Sequence, residues 1–222
     1  MRPLPASEAP RRRLACAACL RPASACLCRL VTPVQSDVAL VVLQHPLEVS
    51  NAKGSARLLH LCVDGSEMLG GERFDQADLS ALLHAGARTP VLLYPDTPDH
   101  AALGLPLPPS LPPGLLEHPA TLRLVVLDGT WRKSRKMLYL NPVLQALPRL
   151  PLRAVPPSHY RVRKAHAPDQ LSTLEASCYA LAQIEGASEK FQPVLAAFDA
   201  FVDMIERHQQ AGRNSEATAN SA

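Results

Sequence analysis

Hydrophobic positions along this chain gather into short dense runs, separated by polar or proline-rich stretches. Residues 38–44 (VALVVLQ), 90–94 (PVLLY) and 122–127 (LRLVVL) are nearly unbroken aliphatic segments. Runs this short, bounded by turn residues and rich in β-branched side chains, predict strands covered on both faces. Between them, residues 56–61 and 79–84 have the spacing of short helices. Strand and helix therefore alternate, which predicts an α/β fold: a mostly parallel sheet with flanking helices. Residues 150–155 predict a further strand, closed by Pro156-Pro157. Residues 104–119 carry six prolines in sixteen positions, which suits a surface connection and neither a helix nor a central strand.

The period changes to that of a helix near the carboxyl end. Leu171, Leu174, Cys178 and Leu181 share one helical face, Ser172 and Glu175 have the spacing of a capping box, and Gly186 stands where a helix would end. For Glu175, capping is the preferred role over catalysis. Phe191, Val194, Leu195, Phe198, Phe201, Val202 and Ile205 follow i, i+3, i+4 spacing, so these aromatics are expected in the core and not as a base-stacking platform. Residues 1–13 and 209–222 are expected to be disordered tails. That leaves a small unit at 14–32 and a main domain at 33–208.

Composition narrows the class. With 222 residues, 47% hydrophobic and 19% charged, the chain can bury a full core without disulfides. A net charge of +3 is too mild for indiscriminate nucleic-acid coating but compatible with a local basic stripe. No run approaches the roughly 18 apolar residues that span a bilayer, and Arg11-Arg12-Arg13 has no apolar stretch of a signal peptide behind it. A cytoplasmic protein with no membrane partner is expected.

Four of the six cysteines lie close together as Cys16-x2-Cys19-x6-Cys26-x-Cys28, whereas Cys62 and Cys178 stand alone in apolar patterns and are expected to pack. Two close pairs joined by a returning loop can wrap one tetrahedral ion. Zinc is the default for four thiolates, and a structural zinc knuckle is predicted; a disulfide or redox centre is the competing reading.

The densest chemistry follows the strand at 122–127, in Asp128-Gly129-Thr130-Trp131. In open α/β sheets, ligands gather outside the carboxyl ends of the strands, where Asp128 stands. The chain's single Trp follows, and then Arg132, Lys133, Arg135 and Lys136. An acid, a flat ring and four cations suggest a nucleic-acid substrate. The same residues also fit an ordinary Asp-Gly turn, a core Trp and a solvated basic face. A second cluster, Ser158, His159, Tyr160, Arg161, Arg163, Lys164 and His166, combines phosphate-capable and stacking groups in one predicted loop. His45 beside Pro46 more often bonds the backbone than acts in catalysis, and Glu48 and Asn51 are read in the same way. There is no G-x-G-x-x-G, which disfavours a Rossmann pocket and favours one made from loops.

Taken together, the cysteine quartet enclosing Arg21-Pro22, the turn Gln44-His45-Pro46-x-Glu48, Asp128-Gly129-Thr130-Trp131, Tyr160-Arg161-Val162-Arg163-Lys164 and Leu171-Ser172-Thr173-Leu174-Glu175-Ala176 resemble the DTW-domain family. The resemblance covers residues 16–202, with Ser134 standing where a small apolar residue is expected. It implies a relative of the knotted SPOUT methyltransferases with a SPOUT-like knotted carboxyl-terminal part. The implied activity moves the 3-amino-3-carboxypropyl group of S-adenosylmethionine to N3 of a uridine in the variable loop of tRNA. On this resemblance Asp128 is the catalytic candidate, as base or as positioning group. Gln44, His45, Asp128, Thr130, Trp131, Ser172 and Thr173 become candidates for the cofactor, and Arg132, Lys133, Tyr160, Arg161, Arg163 and Lys164 for RNA. The alternatives are a SPOUT-like RNA methyltransferase and a non-catalytic zinc-knuckle RNA-binding protein.

Overall fold

In the computed structural model, residues 15–96, 106–162 and 171–219 are described, with side chains through residue 213. Five parallel strands, β1 (Ala39–Gln44), β2 (Glu67–Gly70), β3 (Thr89–Leu93), β4 (Leu122–Asp128) and β5 (Arg149–Leu150), form one sheet in the order β2-β1-β4-β3-β5. The central strand is β4, and all seven of its residues are buried. Its aliphatic run is therefore explained by cover on both faces.

Alternation along the strands divides the core. Leu40 and Val42 of β1, with Leu122, Leu124 and Val126 of β4, pack against α1 (Ala56–Cys62), α5 (Thr173–Glu185) and α6 (Gln192–Ala219). Val41, Leu43, Val125 and Leu127 face the opposite layer, built from α2 (Gln76–His84), α3 (Trp131–Leu140) and α4 (Pro142–Gln145). Gln44 and Asp128 continue the first series, so both lie at the carboxyl edge of the sheet on the side of α1, α5 and α6.

Most predicted elements are present, and the differences have local causes. The strand expected at 150–155 is only Arg149–Leu150, because Pro148 and Pro151 flank it and lack the amide protons a longer ladder needs. The edge strand β2 carries Glu67 and Gly70 and shows no apolar alternation, which hid it from the sequence pattern. The helix α6 continues past His208 to Ala219, through residues expected to form a tail. Cys62 and Cys178 are fully buried, and burial pushes the Cys178 thiol well above its ordinary range. Phe191, Phe198 and Phe201 are core as predicted.

The cysteine-rich segment is packed onto the main domain. Cys19 and Leu27 belong to the same buried cluster as α5 and α6. The Arg21 guanidinium donates to the carbonyls of Ala52 and Gly54 at 2.7 and 3.0 Å and lies 4.9 Å from the Phe201 ring centre. Among the described residues, no helix is long and apolar enough to cross a membrane.

Candidate active site

The site is built where β1 and β4 end side by side. Gln44 and Asp128 are register partners, and the pairing continues one step further, with the His45 amide donating to the Asp128 carbonyl at 2.9 Å. The Asp128 side chain is held at both oxygens: Gln44 Nε2 donates to Oδ2 at 2.9 Å and Thr173 Oγ1 to Oδ1 at 2.7 Å. At 5% exposure, this carboxylate is fixed by two rigid strands and the first residue of α5. A buried acid aimed by neutral donors is a fixed proton acceptor or a fixed partner for a cation.

The start of α5 is itself firmly placed. Ser172 accepts from the Glu175 amide, and Glu175 returns to the Ser172 amide at 2.7 Å, completing the capping box. Glu175 also accepts from Ser158 Oγ at 2.8 Å and from the His159 amide at 2.7 Å, which ties the 158–160 loop to the helix start. Its burial is thus structural, as the spacing indicated.

Two hollows flank the wall formed by Gly129, Ser172 and Thr173. One is an apolar cleft of about 490 Å³, lined by Tyr94, Leu127, Trp131, Leu152 and Val155 among others. The other is a polar chamber of about 120 Å³ bordered by Glu48, Asn51, Lys53, Ser55 and Asp128. The cleft opens at the carboxyl ends of β3, β4 and β5, between the segments that follow them and the starts of α3 and α5. Space is tight at Gly129: a Cβ there would sit 3.1 Å from that of Lys133.

Trp131 is half exposed and meets Tyr94 edge-on with ring centres 5.9 Å apart, so the core reading for Trp131 is excluded. Tyr160 is the reverse. It is buried, donates its hydroxyl to the Lys53 carbonyl and packs edge-on against Phe198 at 5.2 Å. Those contacts account for the ring as a packing element. Ser134 is buried and its hydroxyl donates to the Trp131 carbonyl at 3.2 Å.

The four cations of α3 separate into two pairs. Lys133 turns inward to Glu48 Oε1 at 2.7 Å, and Lys136 pairs with Glu72 at 2.9 Å, while Arg132 and Arg135 lie on the exposed face. Hydrogen bonds from Lys136 first and His45 second hold the Glu72 carboxyl below its ordinary range. His45 accepts from the Leu47 amide at 3.2 Å through Nδ1 and meets Glu72 at 2.9 Å through Nε2, so its backbone role is the one expected. Thr130 begins α3 without a side-chain cap bond. Arg161 is gripped by Asp203 at 2.6 Å and Glu206 at 3.3 Å, both on α6. Arg163, Lys164 and His166 lie outside the described residues.

Sequence reasoning did not single out Lys53, Ser55 or Tyr94. Lys53 and Ser55 sit in a polar turn with no periodic signal, while Tyr94 was visible only as the end of a strand.

The four clustered cysteine sulfurs lie within 4.8 Å of one another, with Cys16 to Cys28 and Cys19 to Cys26 both at 3.6 Å. Tetrahedral zinc with bonds near 2.3 Å places its sulfurs about 3.8 Å apart, so the set fits that ion. Backbone amides of Cys19 and Ala18 draw the Cys16 thiol down to about 6, while its hydrogen bond to Cys16 pushes the Cys28 thiol up to about 12, so the two sulfurs share one proton.

The DTW domain model matches residues 13–206. The tRNA-uridine aminocarboxypropyltransferase 2 of Drosophila melanogaster is 30% identical over 198 residues, covering 85% of this chain and 74% of that protein. The Mus musculus protein of the same name is 28% identical over 191 residues, covering 82% of this chain and 60% of its own. The tRNA-uridine aminocarboxypropyltransferase A of Arabidopsis thaliana is 26% identical over 146 residues, with 62% and 54% covered. No solved structure matches.

Proposed function

The chain belongs to the DTW-domain family, and from that premise we propose that it is a tRNA-uridine aminocarboxypropyltransferase. In this reaction N3 of a variable-loop uridine forms a bond to the γ-carbon of S-adenosylmethionine as the bond from that carbon to sulfur breaks. The electron pair stays on sulfur, leaving 5′-methylthioadenosine, and the imide proton must be accepted.

The observation that carries the proposal is Asp128. It borders the polar chamber beside the Gly129 and Thr173 wall shared with the apolar cleft, buried and oriented by Gln44 and Thr173. A carboxylate in that position is suited to take the imide proton or to hold it in line for departure. The apolar cleft suits the adenosine portion, which is flat and largely uncharged, and the exposed ring of Trp131 at its rim suits a stacked base. Arg132 and Arg135 supply phosphate contacts beside it. Tyr160 supports the chamber from within, and Arg161 braces its loop against α6. The cysteine quartet would hold a structural zinc, which closes the amino-terminal unit and lets Arg21 clamp it to the core.

The test is mass spectrometry of tRNA nucleosides after incubation with the protein and S-adenosylmethionine labelled either in the methyl group or in the aminocarboxypropyl chain. The chain label should enter uridine and the methyl label should not. Transfer of the methyl label would establish an RNA methyltransferase instead, and absence of both would leave a binding protein.

A further inference from the structure

We infer that the polar chamber is a zwitterion site for the α-ammonium and α-carboxylate of the transferred group, with Glu48 facing the ammonium and Lys53 the carboxylate. This rests on the S-adenosylmethionine chemistry proposed above and adds the residues that choose which carbon is transferred.

The chamber is small, about 120 Å³, and its charges are unusual for its size. Glu48 is only 8% exposed, and its oxygens receive Lys133 Nζ and Asn51 Nδ2, both at 2.7 Å, which fixes its rotamer. Lys53 also lines the chamber, and its ammonium donates to the Val162 carbonyl at 2.9 Å. With Asp128, two carboxylates and two ammonium groups among the described residues stand in or against one hollow. Each carboxylate oxygen has two acceptor sites, so Glu48 can receive a ligand ammonium while keeping Lys133 and Asn51.

Burying such a pair carries a desolvation cost that an apolar pair of similar volume would avoid. Its presence next to a fixed acid and a hollow points to a ligand of both charges. An α-amino acid end offers each sign its opposite.

The chamber and the apolar cleft share Gly129, Ser172 and Thr173. One molecule can therefore lay its adenosine in the cleft and its amino acid end in the chamber, with the sulfonium at the shared wall. Anchoring the α-carbon there brings the γ-carbon, and not the methyl group, beside Asp128. Transfer then proceeds with the balance given above: nitrogen–carbon bond made, carbon–sulfur bond broken, proton to the acid.

Calorimetric titration of the full chain separates the possibilities with two probes, S-adenosylmethionine and 5′-methylthioadenosine, which lacks the zwitterion. Glu48→Gln should weaken the first by about 10- to 100-fold, the worth of a charge-assisted hydrogen bond, and leave the second within about twofold. Lys53→Met should behave likewise and carries the test if Glu48→Gln does not fold. Equal losses for both probes, or no loss for either, overturn the chamber assignment. Wild-type protein that binds neither probe sinks the cofactor reading itself.

Discussion

Gln44 and Asp128 occupy the same rung of adjacent parallel strands, and the Gln44 amide nitrogen donates to Asp128 Oδ2 at 2.9 Å. The acid is thus set by the sheet and not by a loop. The second donor, Thr173, comes from the first turn of α5, so three elements fix one carboxylate. Sites built on rigid elements hold their geometry without a closing motion.

Asp128→Asn should retain the fold and tRNA affinity while transfer falls by roughly 10²- to 10⁴-fold, the usual contribution of general acid–base catalysis. Asn keeps the shape and can still accept from Thr173, but it has no charge and no basicity. Single-turnover kinetics with labelled cofactor read the effect. Full activity in this variant would return Asp128 to a turn residue.

Gln44→Met and Thr173→Val each remove one donor from the buried carboxylate. An acceptor left without its partner costs about 1–3 kcal/mol, so both variants should be less stable to denaturant by that order. Since the acid also loses its aim, kcat should fall by about tenfold while KM moves little. A loss of stability with kcat intact would make the two residues structural supports only.

Cys19→Ser should lose zinc and lower the thermal midpoint of the whole protein, because Cys19 is 2% exposed and shares a core cluster with α6. Metal analysis and thermal unfolding, with and without a chelator, check this. A variant that keeps its metal, or loses it with no change in midpoint, would contradict the assignment.

Arg161 and Arg132 should separate in their salt dependence. Arg132 is exposed, and if it meets a phosphate as proposed, Arg132→Ala should reduce the slope of log affinity against log salt by about one. Arg161→Ala breaks ion pairs to Asp203 and Glu206 and should leave that slope unchanged. Electrophoretic mobility titrations over a range of salt decide between them.

Lys190 offers a check on pH. Its hydrogen bond to Glu185, and a second to Asp37, raise its pKa above the ordinary lysine value. The stabilisation is full below the unfolded value of about 10.4 and fades as pH rises through the higher folded value. The stability lost in Lys190→Met should therefore be constant near neutrality and vanish in strong alkali. Denaturant melts at pH 8 and about pH 12 would show whether the difference persists.

What the sequence determined by itself was the set of features with a local cause. The run 122–127 could only be a doubly covered strand, Ser172 and Glu175 could cap a helix without outside help, and the α6 aromatics carried their own period. The cysteine spacing was local in the same sense, since chelation needs only a short returning loop. Other features depended on partners distant in the chain. Nothing in the segment 67–70 marks a strand until β1 lies beside it, and Arg149–Leu150 is a strand only because β3 supplies its ladder. Lys133 belonged to a basic stripe in the sequence, but the fold turns it into Glu48, 85 positions away. Tyr160 and Trp131 were open alike to stacking or to packing in the sequence, and only tertiary packing decides which ring is covered: the fold buries Tyr160 and leaves Trp131 half exposed.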